Sequence, residues 1–238
     1  MSKVSLESLL SNYKGFHPVV LFNPLDDKLT KLDFTQTNKD LTDEIINNTD
    51  LFSGYVNGLL VKNLSKYGIG GYNEHRVIYR RSTVFDEKDA EPRRLHLGID
   101  IWGPAEVPIY APLEGNVHSF AFNDAFGDYG ATLILQHELD ACIFHTLYGH
   151  LSLASINTKR EGQTVEKGEW IAAFGVPSEN GNWPPHLHFQ IISNMESKKG
   201  DYPGVCKYSE KETYLANCPN PDFILDLIQF APAIQPTI

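Results

Sequence analysis

The sequence predicts a mainly β protein, an antiparallel sheet or sandwich with a partly helical N-terminal segment. Three observations predict it. Between residues 95 and 193, short apolar and β-branched runs alternate with turns rich in Gly, Pro, Asn and Asp, the texture of an antiparallel core. Before residue 66, leucines and isoleucines recur at helical spacing. After residue 194, Pro203, Pro219, Pro221, Pro232 and Pro236 indicate a loop-rich tail. The expected division is a helical and loop segment over 1–90, a core over 91–193, and a tail over 194–238 that packs on the core.

The elements follow in chain order. Ser5 is placed to cap a helix within 1–15, with Leu6, Leu9, Leu10 and Tyr13 as its stripe and Lys14-Gly15 as its end. Val19–Phe22 reads as a strand closed by Asn23-Pro24. Residues 38–66 read as helical again, with Leu41, Ile45, Ile46, Leu51 and Phe52 on one side, broken in two at Asn47–Asp50. The glycines of Tyr67–Arg76 are too irregular for a phosphate-binding fingerprint, so the stretch reads as a surface loop. Val77–Tyr79 and Ser82–Phe85 alternate like strands. Further strands are expected over 98–102, 107–111, 115–122, 131–137, 142–147, 170–174 and 186–192, then a short helix near 221–230.

At 238 residues, one domain or one domain with an appendage is expected. With 20 basic and 30 acidic residues the net charge is −10, which argues against a nucleic-acid partner or an anionic membrane surface. The first 20 residues lack the apolar stretch of a signal peptide, and no run reaches the ~18 apolar residues of a membrane span, so a cytoplasmic location is expected. Cys142, Cys206 and Cys218 make an odd count, which suggests reduced thiols, although Cys206 and Cys218 are close enough in sequence to pair.

The chemistry concentrates in two stretches. His186 and His188 are two apart in Trp183-Pro-Pro-His-Leu-His-Phe-Gln190, so on a strand both imidazoles face one way. His96 and Asp100 are four apart and also share a face; Gly98, Ile99 and Ile101 favour a strand there. One imidazole and one carboxylate from the first element, with one imidazole from the second, make three N/O ligands. Such a set suits zinc and leaves a fourth position open, the pattern of catalytic sites. Spacing leaves open which of His186 and His188 is the ligand. The other one, with His150 at the end of a strand, is then free for proton transfer or oxyanion stabilisation. His118, His137 and His145 read as hydrogen-bonded sheet histidines.

These pieces are in HLGID (96–100), PIYAPLEGNV (108–117), GDYGATLILQH (127–137), LYGHLS (147–152), GQTVEKGEWIAAFG (162–175) and PPHLHFQI (184–191). Together, in this order, they resemble the LytM/lysostaphin-type zinc metallopeptidases, family M23. The resemblance implies a mostly antiparallel β core with an open groove. It implies zinc held by His96, Asp100 and His188, with His150 and His186 as the catalytic histidines. It also implies hydrolysis of a peptide or amide bond through a zinc-activated water.

The chain departs from the usual pattern in its missing secretion signal, its lack of a basic wall-binding module, and the bulky Ser178–Pro185 tract before HLH. The flanks YGIGGYNEHRVIYRRS, DYPGVC and NCPNPD also resemble M23-like segments found between phosphotransferase and class III aminotransferase domains. The expected substrate is therefore a short peptide or amino-acid amide, with peptidoglycan fragments as the further candidate. Tyr72, Asn73, His75, Arg76 and Trp183 are candidates to narrow the groove, and Asn73, Arg76 and Trp183 to contact substrate; arginine suits a carboxylate. Two other readings are a catalytically silent M23-like binding or regulatory module and a lipoyl-carrier-like hairpin. Lys167 is badly placed for the carrier because it precedes a strand instead of tipping a turn.

Overall fold

Alternation in the middle of the chain resolves into one large sheet. The computed structural model describes residues 5–231 except Glu87 and Asp89. Within the expected N-terminal helix, Ser5 Oγ accepts the Ser8 N–H (3.2 Å) and caps α1 (Leu6–Asn12). Residues 1–4 and the prolines at 232 and 236 lie outside the described residues. The expected break falls at Asn48. It ends α2 (Asp43–Asn47), and its side chain accepts the N–H groups of Asp50 and Leu51 to start α3 (Thr49–Lys62).

The early strands are β1 (Leu29–Lys31), β2 (Tyr67–Gly70), β3 (Glu74–His75), β4 (Leu95–His96) and β5 (Ile99–Trp102). Next come β6 (Pro108–Tyr110), β7 (Gly115–Asn123), β8 (Gly130–Leu139) and β9 (Cys142–Leu151). The last are β10 (Thr164–Val165), β11 (Trp170–Ala173), β12 (His186–Ile192) and β13 (Val205–Cys206). Eight of them form the main sheet in the order β1-β2-β5-β12-β9-β8-β7-β10, antiparallel throughout except for β1 with β2. Two small sheets accompany it, β11-β6 and β13-β4-β3. The fold is thus mainly β and mostly antiparallel, as the sequence predicts.

Side-chain alternation sorts β12 into two faces. Leu187, Phe189 and Ile191 enter the largest apolar cluster with Leu133, Leu135, Phe144 and Tyr148. Each such side chain contributes ~1.5–3 kcal/mol on burial. His186, His188 and Gln190 face the other way. That face is covered by a second cluster in which Phe34, Phe52, Trp102, Trp183, Tyr79 and Phe85 pack together. A polar site is therefore held between a rigid sheet and an aromatic layer supplied largely by the N-terminal segment.

Four local expectations are corrected. Val19–Phe22 is irregular: Val19 and Val20 bury against the core, and Val19 accepts a single backbone bond from Tyr110 (2.9 Å). Ile78–Arg81 and Thr83–Phe85 are 3₁₀ turns, not strands, because their apolar side chains dock on the aromatic layer instead of pairing with a sheet edge. Tyr67–Gly70 is a buried strand of the main sheet, not a surface loop. In the tail, the expected helix is the short α6 that follows α5: α4 (Ala154–Asn157), α5 (Lys211–Asn217) and α6 (Asp222–Leu225) complete the helices, and α5 and β13 had no clear signature. All three cysteines are free thiols, with Cys206 and Cys218 buried. Among the described residues, no helix is long and apolar enough to cross a membrane.

Candidate metal centre and active site

One cross-strand row organises the site. Gly70 on β2 pairs with Asp100 on β5, Asp100 with His188 on β12, and His188 with Gly149 on β9. Residues in register across a sheet share a face, so Asp100 and His188 are neighbours by construction. The two outer glycines make room. A Cβ at Gly70 would stand 2.6 Å from Arg76 Nη2, and one at Gly149 would stand 2.4 Å from the Tyr129 ring. Arg76 and Tyr129 thus lie across the strands and flank the pair. Gly98, in the bend between β4 and β5, is required as well: a Cβ there would meet the His188 ring at 2.5 Å. That bend brings His96 over the row.

His96 Nε2, His188 Nδ1 and Asp100 Oδ1 form a small triangle with edges of 2.9, 3.1 and 3.2 Å. All three side chains are buried and are the candidate metal-holding group among the described residues. A tetrahedral zinc with ~2.0–2.1 Å bonds needs ligand–ligand edges of about 3.3 Å, so the residues fit the ion. Their outward contacts agree. His96 Nδ1–H donates to the Gly71 carbonyl (3.0 Å), which leaves Nε2 as a lone pair. His188 Nε2–H donates to Gln190 Oε1 (2.9 Å), which leaves Nδ1 as a lone pair. Gln190 cannot flip, because its Nε2 donates to the Pro203 carbonyl (3.1 Å). Such outer partners fix tautomer and ring direction in metal sites.

Burial lowers the pKa of His96 to about 4, so the imidazole is neutral. Burial opposes ionisation of Asp100, yet the electrostatic pull of its neighbours His96 and Arg76 holds its carboxyl well below the usual carboxylate range. Arg76 is fully buried; its Nη1 donates to Asp100 Oδ2 and its Nε to Glu74 Oε2 (2.7 Å). Three acceptor atoms therefore converge with no proton between them, an arrangement that a cation relieves.

His186 and His150 lie beside this triangle, with ring centroids 4.0 Å apart. His186 pairs in register with Trp102 and stacks on its indole at 3.8 Å. His150 has φ +62°, a conformation that a non-glycine residue adopts only under constraint, next to an irregularity in the β8–β9 pairing. The bend turns its imidazole toward the row. Each ring donates Nδ1–H to a carbonyl at 2.8 Å, His150 to Asn180 and His186 to Pro184. In both, Nε2 is the proton acceptor. Burial lowers the pKa of His186 to about 4 and holds that of His150 well below its ordinary value, so both are neutral bases.

The site forms the floor of a cavity of about 230 Å³. Trp183 lines it and donates its indole N–H to the Gly127 carbonyl (3.1 Å). Two of the expected substrate contacts lie outside the lining of this cavity. Arg76 lies beneath Asp100, outside the lining, because its charge is compensated there by Asp100 and Glu74. Asn73 is exposed on a turn whose N–H bonds to the His96 carbonyl (2.9 Å), also outside the lining. His75 is exposed against Tyr208, and the Tyr72 hydroxyl bonds to the Cys218 carbonyl (2.6 Å). Tyr129 and Gln190 were not singled out. Gln190 had a signal, since it continues the alternation of His186 and His188. Tyr129 had none.

The fold is thus a mainly antiparallel sheet that carries a buried His-Asp-His triangle with two neutral imidazoles beside it. Residues 94–199 match the model of Peptidase family M23. Among solved structures, similarity extends to a zinc-containing peptidase from Vibrio cholerae, at 26% identity over 45% of this chain and 30% of that one, TM-score 0.33. It extends to the catalytic domain of lysostaphin from Staphylococcus simulans, at 20% identity over 68% and 96%, TM-score 0.41. A third is the catalytic domain of the prophage-encoded M23 protein EnpA from Enterococcus faecalis, at 20% identity over 50% and 87%, TM-score 0.36. The chain spans less than a third of the length of the Vibrio protein. No curated protein matches it.

Proposed function

We propose that this protein is a zinc-dependent hydrolase of a peptide or amide bond. The observation that carries the reading is the convergence of three metal-competent acceptor atoms within 3.2 Å of one another, beside two imidazoles with free Nε2 atoms. His96, Asp100 and His188 would hold zinc. When bound, zinc lowers the pKa of water towards ~7 and polarises a carbonyl. His150 and His186 take up a proton at Nε2 and pass it to the departing amine, and as imidazolium either one stabilises a developing oxyanion. Trp102 holds the His186 ring by stacking, and the Asn180 carbonyl holds His150. The Tyr129 hydroxyl lies 3.4 Å from His188 Nε2 and supports the ligand side of the site.

The presence of both imidazoles in basic form favours turnover over a catalytically silent module. The test is hydrolysis of short peptides and amino-acid amides by zinc-loaded protein against a chelator-treated control. Zinc-dependent release of amine supports the reading; equal rates with and without metal contradict it.

A further inference from the structure

The walls of the cavity do not form two parallel banks. They come from four segments, and each is bonded to the next. The first, Ile78–Phe85, meets the second, 126–129, where Ser82 Oγ donates to the Phe126 carbonyl (2.5 Å). The second meets the third, 200–205, where the Tyr129 hydroxyl donates to the Tyr202 carbonyl (3.2 Å). The third pairs with the fourth, 93–97, through β13 and β4, extended by the bond from Leu97 N–H to the Gly204 carbonyl (2.9 Å). The fourth returns to the first through Arg93 N–H on the Phe85 carbonyl (2.9 Å). All four segments line the cavity whose floor carries Asp100, His150, His186 and His188.

The circuit is also tight. Gly127 has φ +86°, and a Cβ there would stand 2.4 Å from Ser82, so the first junction permits no side chain. Gly204 lets the third wall approach Tyr129: a Cβ there would stand 1.9 Å from its hydroxyl. At about 230 Å³ the space is smaller than the ~300–1,000 Å³ of pockets for drug-sized ligands. Its lining is aromatic at Tyr79, Phe85 and Trp183, which desolvates what enters.

We infer that the site is a well entered end-on, so that the substrate is a compact amide or the end of a short peptide and not an internal bond of a continuous chain. An extended chain bound at an internal bond needs two exits from the site, and the four bonded walls leave one mouth. The inference rests on the zinc-hydrolase reading, which it deepens by naming the substrate class.

Two inhibitors with one metal-binding group test it. One is the phosphinic isostere of an Ala-Ala dipeptide; the other carries that isostere at the centre of a hexapeptide capped at both ends. Calorimetry on the full zinc-loaded chain, which reads binding and not turnover, is expected to show the dipeptide isostere binding at least tenfold tighter. Equal or tighter binding of the capped hexapeptide overturns the well while leaving the zinc-hydrolase reading in place. Selective binding of the dipeptide isostere without hydrolysis of any dipeptide or amide supports the well and overturns the catalytic reading. Binding of neither overturns both.

Discussion

Arg76 lies across Gly70 with its guanidinium on Asp100 Oδ2, while Asp100 Oδ1 faces the two imidazoles. One carboxylate is thus divided between a buried cation and the candidate metal position, and its rotation is fixed. Glu74 balances the second edge of the guanidinium. Lysine keeps the charge but loses the two-edged contact. We expect Arg76→Lys to weaken zinc affinity by ~10–100-fold, the usual cost of an outer-partner change. Competition with a chromophoric chelator measures it; unchanged affinity contradicts the role.

Gly98 makes the second prediction. A methyl group at this position meets His188 Cε1 at 2.5 Å and the Phe189 carbonyl at 2.8 Å. Neither neighbour yields freely, since His188 is bonded to Gln190 and Phe189 is in the core. Gly98→Ala is expected to destabilise the chain by ~1–3 kcal/mol, the range for overpacking, and to reduce zinc retention. Denaturant unfolding and metal analysis on the same sample check both effects.

The proposed mechanism gives proton transfer to His150 and His186. Their replacement by alanine is expected to leave zinc bound and to reduce kcat by ~10²–10⁴-fold each. Loss of zinc from either variant, with retention by His188→Ala, would exchange ligand and catalyst on β12.

The pH dependence has a definite sign. Burial holds His96, His145 and His186 at about 4 in the folded chain, below the ~6.5 of an unfolded histidine. Between these values the unfolded state binds more protons, so stability rises with pH across that window and is lost as pH falls from ~6.5 towards ~4. The metal-free protein is expected to lose ~5 °C or more in Tm over this range, on the scale of about 2–4 °C per kcal/mol. Scanning calorimetry of apo protein at pH 7, 5.5 and 4.5 checks it; a flat Tm contradicts buried neutral imidazoles.

The convergence of His96, Asp100 and His188 was legible because these residues lie on short strands whose alternation decides facing, and because HLGID and PHLHF resemble a known pattern. Strand β2 was illegible for the reason that makes it useful: Gly68 and Gly70 remove the side chains by which a strand is recognised, and the space goes to Leu32 and Arg76. Ile78–Phe85 alternates like a strand, yet 3₁₀ turns packed on aromatic rings satisfy the same pattern. Arg76 appeared available to a ligand since charge usually means exposure. Only the pairing of Asp100 with Gly70 and His188 reveals the buried acid it compensates. The closure of the well depends on bonds between residues 44 and 73 positions apart, which no local signal carries.

The central claim is that His96, Asp100 and His188 hold one metal ion together. The direct measurement is zinc per chain by elemental analysis after dialysis, for wild type, Asp100→Ala and His188→Ala, each verified as folded by circular dichroism. The account predicts one zinc in wild type and loss from both folded variants, because two remaining donors are too few for tight binding. Full occupancy in both variants, or none in wild type reconstituted with zinc, would contradict it.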